Sequence, residues 1–243
     1  MILKLVKTHH SLAGRSIDTI QPSFAQDKTP PAAKDQTEAC LLVLHSLRRE
    51  GLNGLLNELA TVSDDEVLKS LQPEARSGDK TSVIEIAQEL SGGDKSACDA
   101  KAANKSPYSG FVITFDHSTK SDCEALISAS FTAGLSHLQQ QNYDASADST
   151  KLGEAPWDNL AAKNLAAIVS TKAEKVSCAA TAECEAGSNV LFCYFIQPLA
   201  LEELQPIKAE VYEALLRRQH GSAYIPPPGI TAALFTLTLA VLS

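Results

Sequence analysis

Six cysteines, Cys40, Cys98, Cys123, Cys178, Cys184 and Cys193, are spread along a chain of 243 residues, and no other feature restricts its folding as much. An even number at wide spacings reads as a framework of disulfides in an exported protein, with the pairing left open by the spacing. Zinc would need tight pairs of the C-x-x-C kind with further Cys or His, and none of these spacings supplies one. A redox-active pair would place C-x-x-C at a helix start, where the dipole lowers one thiol's pKa, and that is missing too. The cysteines read as bracing rather than chemistry.

The C-terminal stretch HGSAYIPPPGITAALFTLTLAVLS matters for its order. Gly221, Ser222 and Ala223 are small, Tyr224–Gly229 is a Pro-rich spacer that cannot be helical, and Ile230–Ser243 is uncharged and apolar to the last residue. Small residues, spacer and apolar tail are the order of a GPI-attachment signal, with Ser222 or Gly221 as the attachment residue. The apolar tail is shorter than the roughly 20 residues a membrane-spanning helix requires, and it lacks the polar face of a core element. Attachment implies export, yet MILKLVKTHHSLAGR breaks its apolar residues with Lys4 and Lys7 and offers no signal-peptide core. The expectation is a misassigned or replaced start.

A net charge of −8 argues against a nucleic-acid footprint, which needs clustered Lys and Arg facing phosphates. The dense cationic pairs, Arg48-Arg49 and Arg217-Arg218, fall late in expected helices, where cations oppose the helix dipole. Aromatic residues are only 5% of the chain, so a stacking platform for bases or sugars is disfavoured and the core must be built from Leu, Ala, Val and Ile.

Residues 1–34 are polar and Pro-bearing without sustained periodicity and read as a flexible leader. Residues 35–219 read as one domain, and 220–243 as the attachment signal. Helical spacing of Cys40, Val43, Leu44 and Leu47 predicts a helix over Thr37–Glu50, and LNGLLNELA a second short one after Gly51. DDEVLKSL and SVIEIAQEL predict two more, followed by a loop through SGGDKSACDAKAANKSP. Gly110–Asp116 predicts a strand; Ser121 and Glu124 then have capping-box spacing before a helix with Cys123, Ile127, Phe131, Leu135 and Leu138 on one face. NLAAIVS, KVSCA and NVLFCYFI predict strands, the last two paired as a hairpin, and Pro206 predicts the first turn of a closing helix with Ile207, Val211 and Leu215 on one stripe. The mixture gives an α/β (α+β) layered domain.

Two patches resemble the coccidian (Eimeria) surface-antigen family, whose domain is related to the CAP fold of cysteine-rich secretory and pathogenesis-related proteins. One is EACLLVLHSLRREGLNGLLNEL; the other, more specific, joins SDCEAL to SCAATAECEAGSNVLFCYFIQP and PIKAEVYEALL. The resemblance implies a CAP-like three-layer α-β-α sandwich with a central, mostly antiparallel sheet and three disulfides. It implies a Cys178–Cys193 bridge, since Cys178-Ala179 and Cys193-Tyr194 match the family's Cys-Ala and Cys-Tyr, with Cys184 reaching an earlier cysteine. It further implies GPI anchorage at a parasite surface and a role in host-cell attachment or immune contact, with host-cell surface molecules or antibodies as partners. The paired His and Glu of metal-binding relatives have no match here, so no metal or other cofactor carries over.

No nucleophile elbow, phosphate loop or H-E-x-x-H helix occurs, and a non-enzymatic protein is expected. Asp64-Asp65 and Glu202-Glu203 read as helix-start carboxylates, His117 as a loop or cap residue and Trp157 as a packed aromatic. Asn104-Lys105-Ser106 has glycosylation spacing, but Pro107 follows it. The alternative function is a secreted CAP-like domain holding a sterol or lipid in a cleft between helices and sheet, lined by the same residue types that build cores.

Overall fold

The computed structural model describes residues 28–71, 82–106, 108–147, 149–199 and 204–222. In chain order its elements are β1 (Ala32–Asp35), α1 (Thr37–Arg49), β2 (Ala60–Thr61), α2 (Asp64–Leu71), α3 (Val83–Leu90), a 3-10 helix (Ala100–Lys105), β3 (Phe111–Asp116), α4 (Cys123–Gln140), α5 (Leu160–Ile168), β4 (Lys175–Ala182), β5 (Ser188–Ile196) and α6 (Ala209–Ser222). The expected leader, 1–34, loses its last residues to the fold, because Ala32–Asp35 pair with β4. Residues 1–27 and the tail from Ala223 lie outside the described residues, as do Glu202 and Glu203.

β4 and β5 pair antiparallel at the centre of the sheet, with Cys178 opposite Cys193. Side chains alternate across a strand, so each of the two serves both faces. Val176, Cys178, Ala180, Leu191, Cys193 and Phe195 enter one core, whereas Ala179, Val190, Phe192 and Tyr194 enter the other. β3 continues the sheet antiparallel beside β5, while β1 runs antiparallel along one half of the far edge of β4 and β2 runs parallel along the other half. Helices α1, α4, α5 and α6 cover the first core, and α2, α3 and the 3-10 helix cover the second. The result is the expected three-layer α-β-α arrangement around a mostly antiparallel sheet.

Local chemistry explains where the helices begin. Ser82 caps α3 through Glu85 N at 3.3 Å, and Asn159 caps α5 through the N–H groups of Ala161 and Ala162. The capping box expected from Ser121 is replaced by Asp122, whose carboxylate accepts the N–H groups of Glu124 and Ala125. Pro206 stands before the closing helix rather than in its first turn, since α6 begins at Ala209. Gly134 sits mid-helix because α4 and α5 cross closely there. A Cβ would strike the carbonyl oxygen of Ala161 and come within 2.8 Å of Leu165.

Two expected elements differ. LNGLLNELA forms turns: Gly51, Asn53 and Gly54 all have positive φ, which ends the helical path, although Leu52, Leu56 and Leu59 are still buried. NLAAIVS lies mainly in α5 rather than in a strand. Asn164 through Ile168 are all buried, so the helix shows no polar stripe to reveal its period.

Arg48 is the largest buried charged side chain, and among the described residues it takes part in no ion pair. Its Nη1 donates to the carbonyls of Ile168 at 2.7 Å and Ser170 at 2.9 Å, and its Nε and Nη2 donate to that of Asn57 at 3.1 and 3.0 Å. The expected role, opposing the dipole of its own helix, is thus redirected to the C-terminal end of α5 and to the turn after α1. Burial pushes the guanidinium pKa down to about 10, so it stays charged at neutral pH. Arg218 does the reciprocal work, donating to the carbonyls of Leu47 and Glu50 at the end of α1 and lying 5.4 Å over the ring of Phe131. Arg49 and Arg217 point outward and pair with Glu58 and Glu213.

Replacing Arg48 with Met fills the space but leaves the carbonyls of Asn57, Ile168 and Ser170 without donors. R48M should lower the unfolding free energy by about 3 kcal/mol, the order expected for buried acceptors left unpaired. Guanidinium denaturation measures it. An unchanged midpoint would mean that the carbonyls find other donors.

Candidate functional site

Four of the six cysteines meet in the first core. Cys40 in the first turn of α1 is bonded to Cys123 at the start of α4, with Cα atoms 5.0 Å apart. Cys178 is bonded to Cys193 across the central pair, with Cα atoms 4.1 Å apart. The sulfurs of Cys40, Cys178 and Cys193 lie within 4.8 Å of one another. Each already shares its bond with another sulfur and so offers no thiolate to a metal. Cys98 is bonded to Cys184, tying the loop after α3 to the β4–β5 turn. That junction is reinforced by Glu185 N to Lys95 O at 2.8 Å and Ser188 N to Cys98 O at 3.1 Å. Gly110, with φ of 134°, presses its backbone against the Cys193 carbonyl so closely that no Cβ fits.

These links give the domain two distinct poles. α1 and α4 start together at the Cys40–Cys123 bridge, beside the β3–α4 and β4–β5 turns, where His117 N donates to the Gly187 carbonyl. They end together at α6. Arg218 caps α1 there, and Gln139 of α4 donates to Gln219 at 2.8 Å. At 18 residues, α4 separates the poles by about 27 Å. Gly221, one of the two expected attachment residues, is exposed near the end of α6 with open space around it, and Ser222 is the last residue of that helix. The helix therefore runs three residues past the expected domain boundary at 219.

Among the described residues, the isolated side chains singled out from the sequence do not gather into a reactive centre. His117 holds the turn, its carbonyl receiving the Asn189 amide at 3.4 Å and its Nδ1 lying 3.6 Å from Asp116. The hydroxyl and then the N–H of Ser118, with a smaller contribution from His117, hold the Asp116 carboxyl below its ordinary range. Trp157 is fully buried, edge-on to Tyr143 with ring centres 5.0 Å apart. Asp64 and Asp65 occupy the first turn of α2. Asn104 falls in the 3-10 helix, and its side chain lies outside the described residues.

A cleft of about 490 Å³ runs along the outer edge of β3, between the segment around the 3-10 helix and α5. Tyr108, Val112, Leu152, Leu160 and Leu199 give it apolar walls. Lys105, Lys151, Lys163 and Glu154 also line it, a distribution that does not favour a neutral sterol. Asn164, 2% exposed, forms part of its wall and acts as a surrogate strand. Its Oδ1 accepts Val112 N at 3.2 Å while its Nδ2 donates to Val112 O at 2.8 Å and to Ser130 Oγ at 3.0 Å. The amide thereby blunts part of an edge that would otherwise offer unpaired backbone groups. Sequence reasoning missed this cleft because several separate segments build it and none carries a motif. The one available hint was a polar Asn inside the apolar run NLAAIVS.

Among solved structures, the chain is similar to the crystal structure of the Eimeria tenella surface antigen protein SAG19. The TM-score is 0.72 and the sequence identity 42%, covering 78% of this chain and 99% of that one. No protein-family model and no curated protein matches.

N164L should destabilise the domain by roughly 2–3 kcal/mol, because both polar groups of Val112 lose their partner, and should promote self-association through β3. Thermal unfolding with light scattering reads both effects; a variant that stays monomeric at full stability would remove this role. C98A/C184A, which opens a bridge spanning 86 residues outside the two cores, should cost up to about 4 kcal/mol. A loss under about 1 kcal/mol would assign the β4–β5 turn's order to its backbone hydrogen bonds instead.

Proposed function

Because the chain belongs to the Eimeria surface-antigen family, we propose that it is a non-enzymatic ectodomain held at the parasite surface by a GPI lipid on Ser222 or Gly221. The observation that carries this reading is the delivery of both residues by the last turn of α6 to one pole of the domain. Gly221 stands in open space there, as a residue must to reach the transamidase. The attachment order of 220–243 and the disulfide framework support the same route, since both belong to exported proteins.

Anchored in this way, the domain stands on the ends of α1, α4 and α6. The opposite pole, with the β3–α4 and β4–β5 turns, then faces outward and meets host-cell surface molecules or antibodies. Short tight turns suit such a surface: Asp116 binds both the hydroxyl and the N–H of Ser118, and Asp94 does the same with Ser96. The alternative, a secreted CAP-like domain binding a small apolar ligand such as a sterol or lipid, fits less well because Lys105, Lys151 and Lys163 stand among the apolar walls of the cleft.

Phosphatidylinositol-specific phospholipase C should release the protein from cells expressing the chain behind a working export signal, and deletion of Ile230–Ser243 should divert it to the medium. Replacing both Gly221 and Ser222 with Leu should leave the apolar tail uncleaved, as read by mass spectrometry of the C-terminus. Protein that resists the phospholipase and stays membrane-bound after the deletion would overturn GPI anchorage.

A further inference from the structure

We infer that Cys123 is a modification site for a low-molecular-weight thiol, which becomes attached through a mixed disulfide while Cys40 transfers its own bond to Cys178. The sulfurs of Cys40, Cys178 and Cys193 lie within 4.8 Å of one another, so the Cys40 sulfur stands beside both ends of the Cys178–Cys193 bridge. No C-x-x-C sequence is needed for this contact, because the fold itself supplies the third sulfur. Exchange requires a thiolate next to a disulfide, and Cys40 becomes one as soon as its bond to Cys123 is opened. The start of α1 is seated on Cys178. Thr37 Oγ1 donates to the Cys178 carbonyl at 3.3 Å and accepts its N–H at 3.0 Å, while Gln36 N donates to the same carbonyl at 2.9 Å. Cys40 follows Thr37 by one turn on the same helix face, so this seating selects Cys178 as the acceptor.

Cys123 is the point of entry. It is 7% exposed, whereas Cys40, Cys178 and Cys193 are at most 1% exposed, so an outside thiolate meets Cys123 first. A cavity of about 470 Å³ opens beside it at the pole opposite α6, with Lys34, Gln36, Ser118, Lys120 and Ser121 in its lining. The Gln36 carbonyl oxygen is 4.0 Å from the Cys123 sulfur, and this polar lining suits a small hydrophilic thiol such as glutathione.

The exchange balances without an oxidant or a reductant. The incoming thiolate bonds to Cys123 Sγ, the Cys40–Cys123 bond breaks and its electron pair leaves on Cys40. Cys40 Sγ then bonds to Cys178 Sγ, the Cys178–Cys193 bond breaks, and Cys193 leaves as a thiolate that takes up the proton the incoming thiol gave up. Three disulfides enter and three remain: the mixed disulfide at Cys123, the new Cys40–Cys178 bond and the untouched Cys98–Cys184 bond. Without the transfer, Cys40 would attack Cys123 again and expel the thiol; the transfer withdraws it and keeps the adduct. Cys184 is 6% exposed, but no third cysteine sulfur stands within the same distance of the Cys98–Cys184 bridge, so an adduct there reverts.

The test is to incubate the full, disulfide-bonded chain with reduced glutathione at mildly alkaline pH, quench with acid, label free thiols with N-ethylmaleimide and map the peptides by mass spectrometry. Acid removes the thiolates and so freezes the pairing before it is read. One glutathione is expected on Cys123, one maleimide on Cys193, and a new link between Cys40 and Cys178. A maleimide on Cys40 beside a glutathionylated Cys123 would overturn the inference, as would adducts confined to Cys98 or Cys184, or no adduct at all. A Cys40–Cys193 link would overturn the choice of Cys178 as acceptor. C123S needs no added thiol: most of its single free thiol should be found on Cys193, and a label on Cys40 alone would equally overturn the transfer. None of these outcomes would affect release by the phospholipase, so this inference and the anchor fail separately.

Discussion

The antiparallel pairing of β4 and β5 is the constraint on which the rest of the structure depends. Both strands are buried on both faces, so every side chain between Val176 and Phe195 that points from the sheet must be matched by a helix on one side or the other. α1, α4, α5 and α6 cannot pack without the row formed by Cys178, Cys193, Leu191 and Phe195, and α2 and α3 cannot pack without Phe192 and Tyr194. A slip of one residue in that pairing would exchange the two cores and separate Cys178 from Cys193. The bridge between them therefore fixes register as well as stability.

Buried polar side chains do work in this fold that backbone does elsewhere. Asn164 completes the edge of β3 as a neighbouring strand would, and Arg48 satisfies carbonyls that a longer α5 or a regular turn would have satisfied itself. Both substitutions are local solutions to the same rule, that buried backbone groups need partners. Arg48 also helps explain why a helix of nine residues, α5, can be stable here: its C-terminal end is served from α1, while its start has its own Asn159 cap.

Legibility in the sequence follows how each segment meets water. NVLFCYFI is continuous, β-rich and apolar, and it is a central strand; α4 keeps one face outward, so its period is visible. α5 is enclosed almost everywhere, its alanines conceal the period, and it reads as a strand. The Leu-rich stretch after α1 has the right residues for a helix, but the positive φ angles at Gly51, Asn53 and Gly54 redirect it into turns. The cleft was not legible because spatial neighbours from separate segments make it. The resemblance to surface antigens pointed to the Cys178–Cys193 pairing. No spacing rule gave Cys40 to Cys123 or Cys98 to Cys184, whose separations are 83 and 86 residues.

The three bridges also overlap in sequence, and this has a topological result. The span from Cys40 to Cys123 contains Cys98, and the span from Cys98 to Cys184 contains Cys178, whose partner is Cys193. Every peptide bond between residues 40 and 193 is therefore enclosed by at least one covalent loop. A protease that cuts once anywhere in that interval produces a nicked molecule of unchanged mass apart from one added water, not two separate fragments. Both chain ends stay tied to the same core, including the end that leads through α6 to the small residues at 221 and 222.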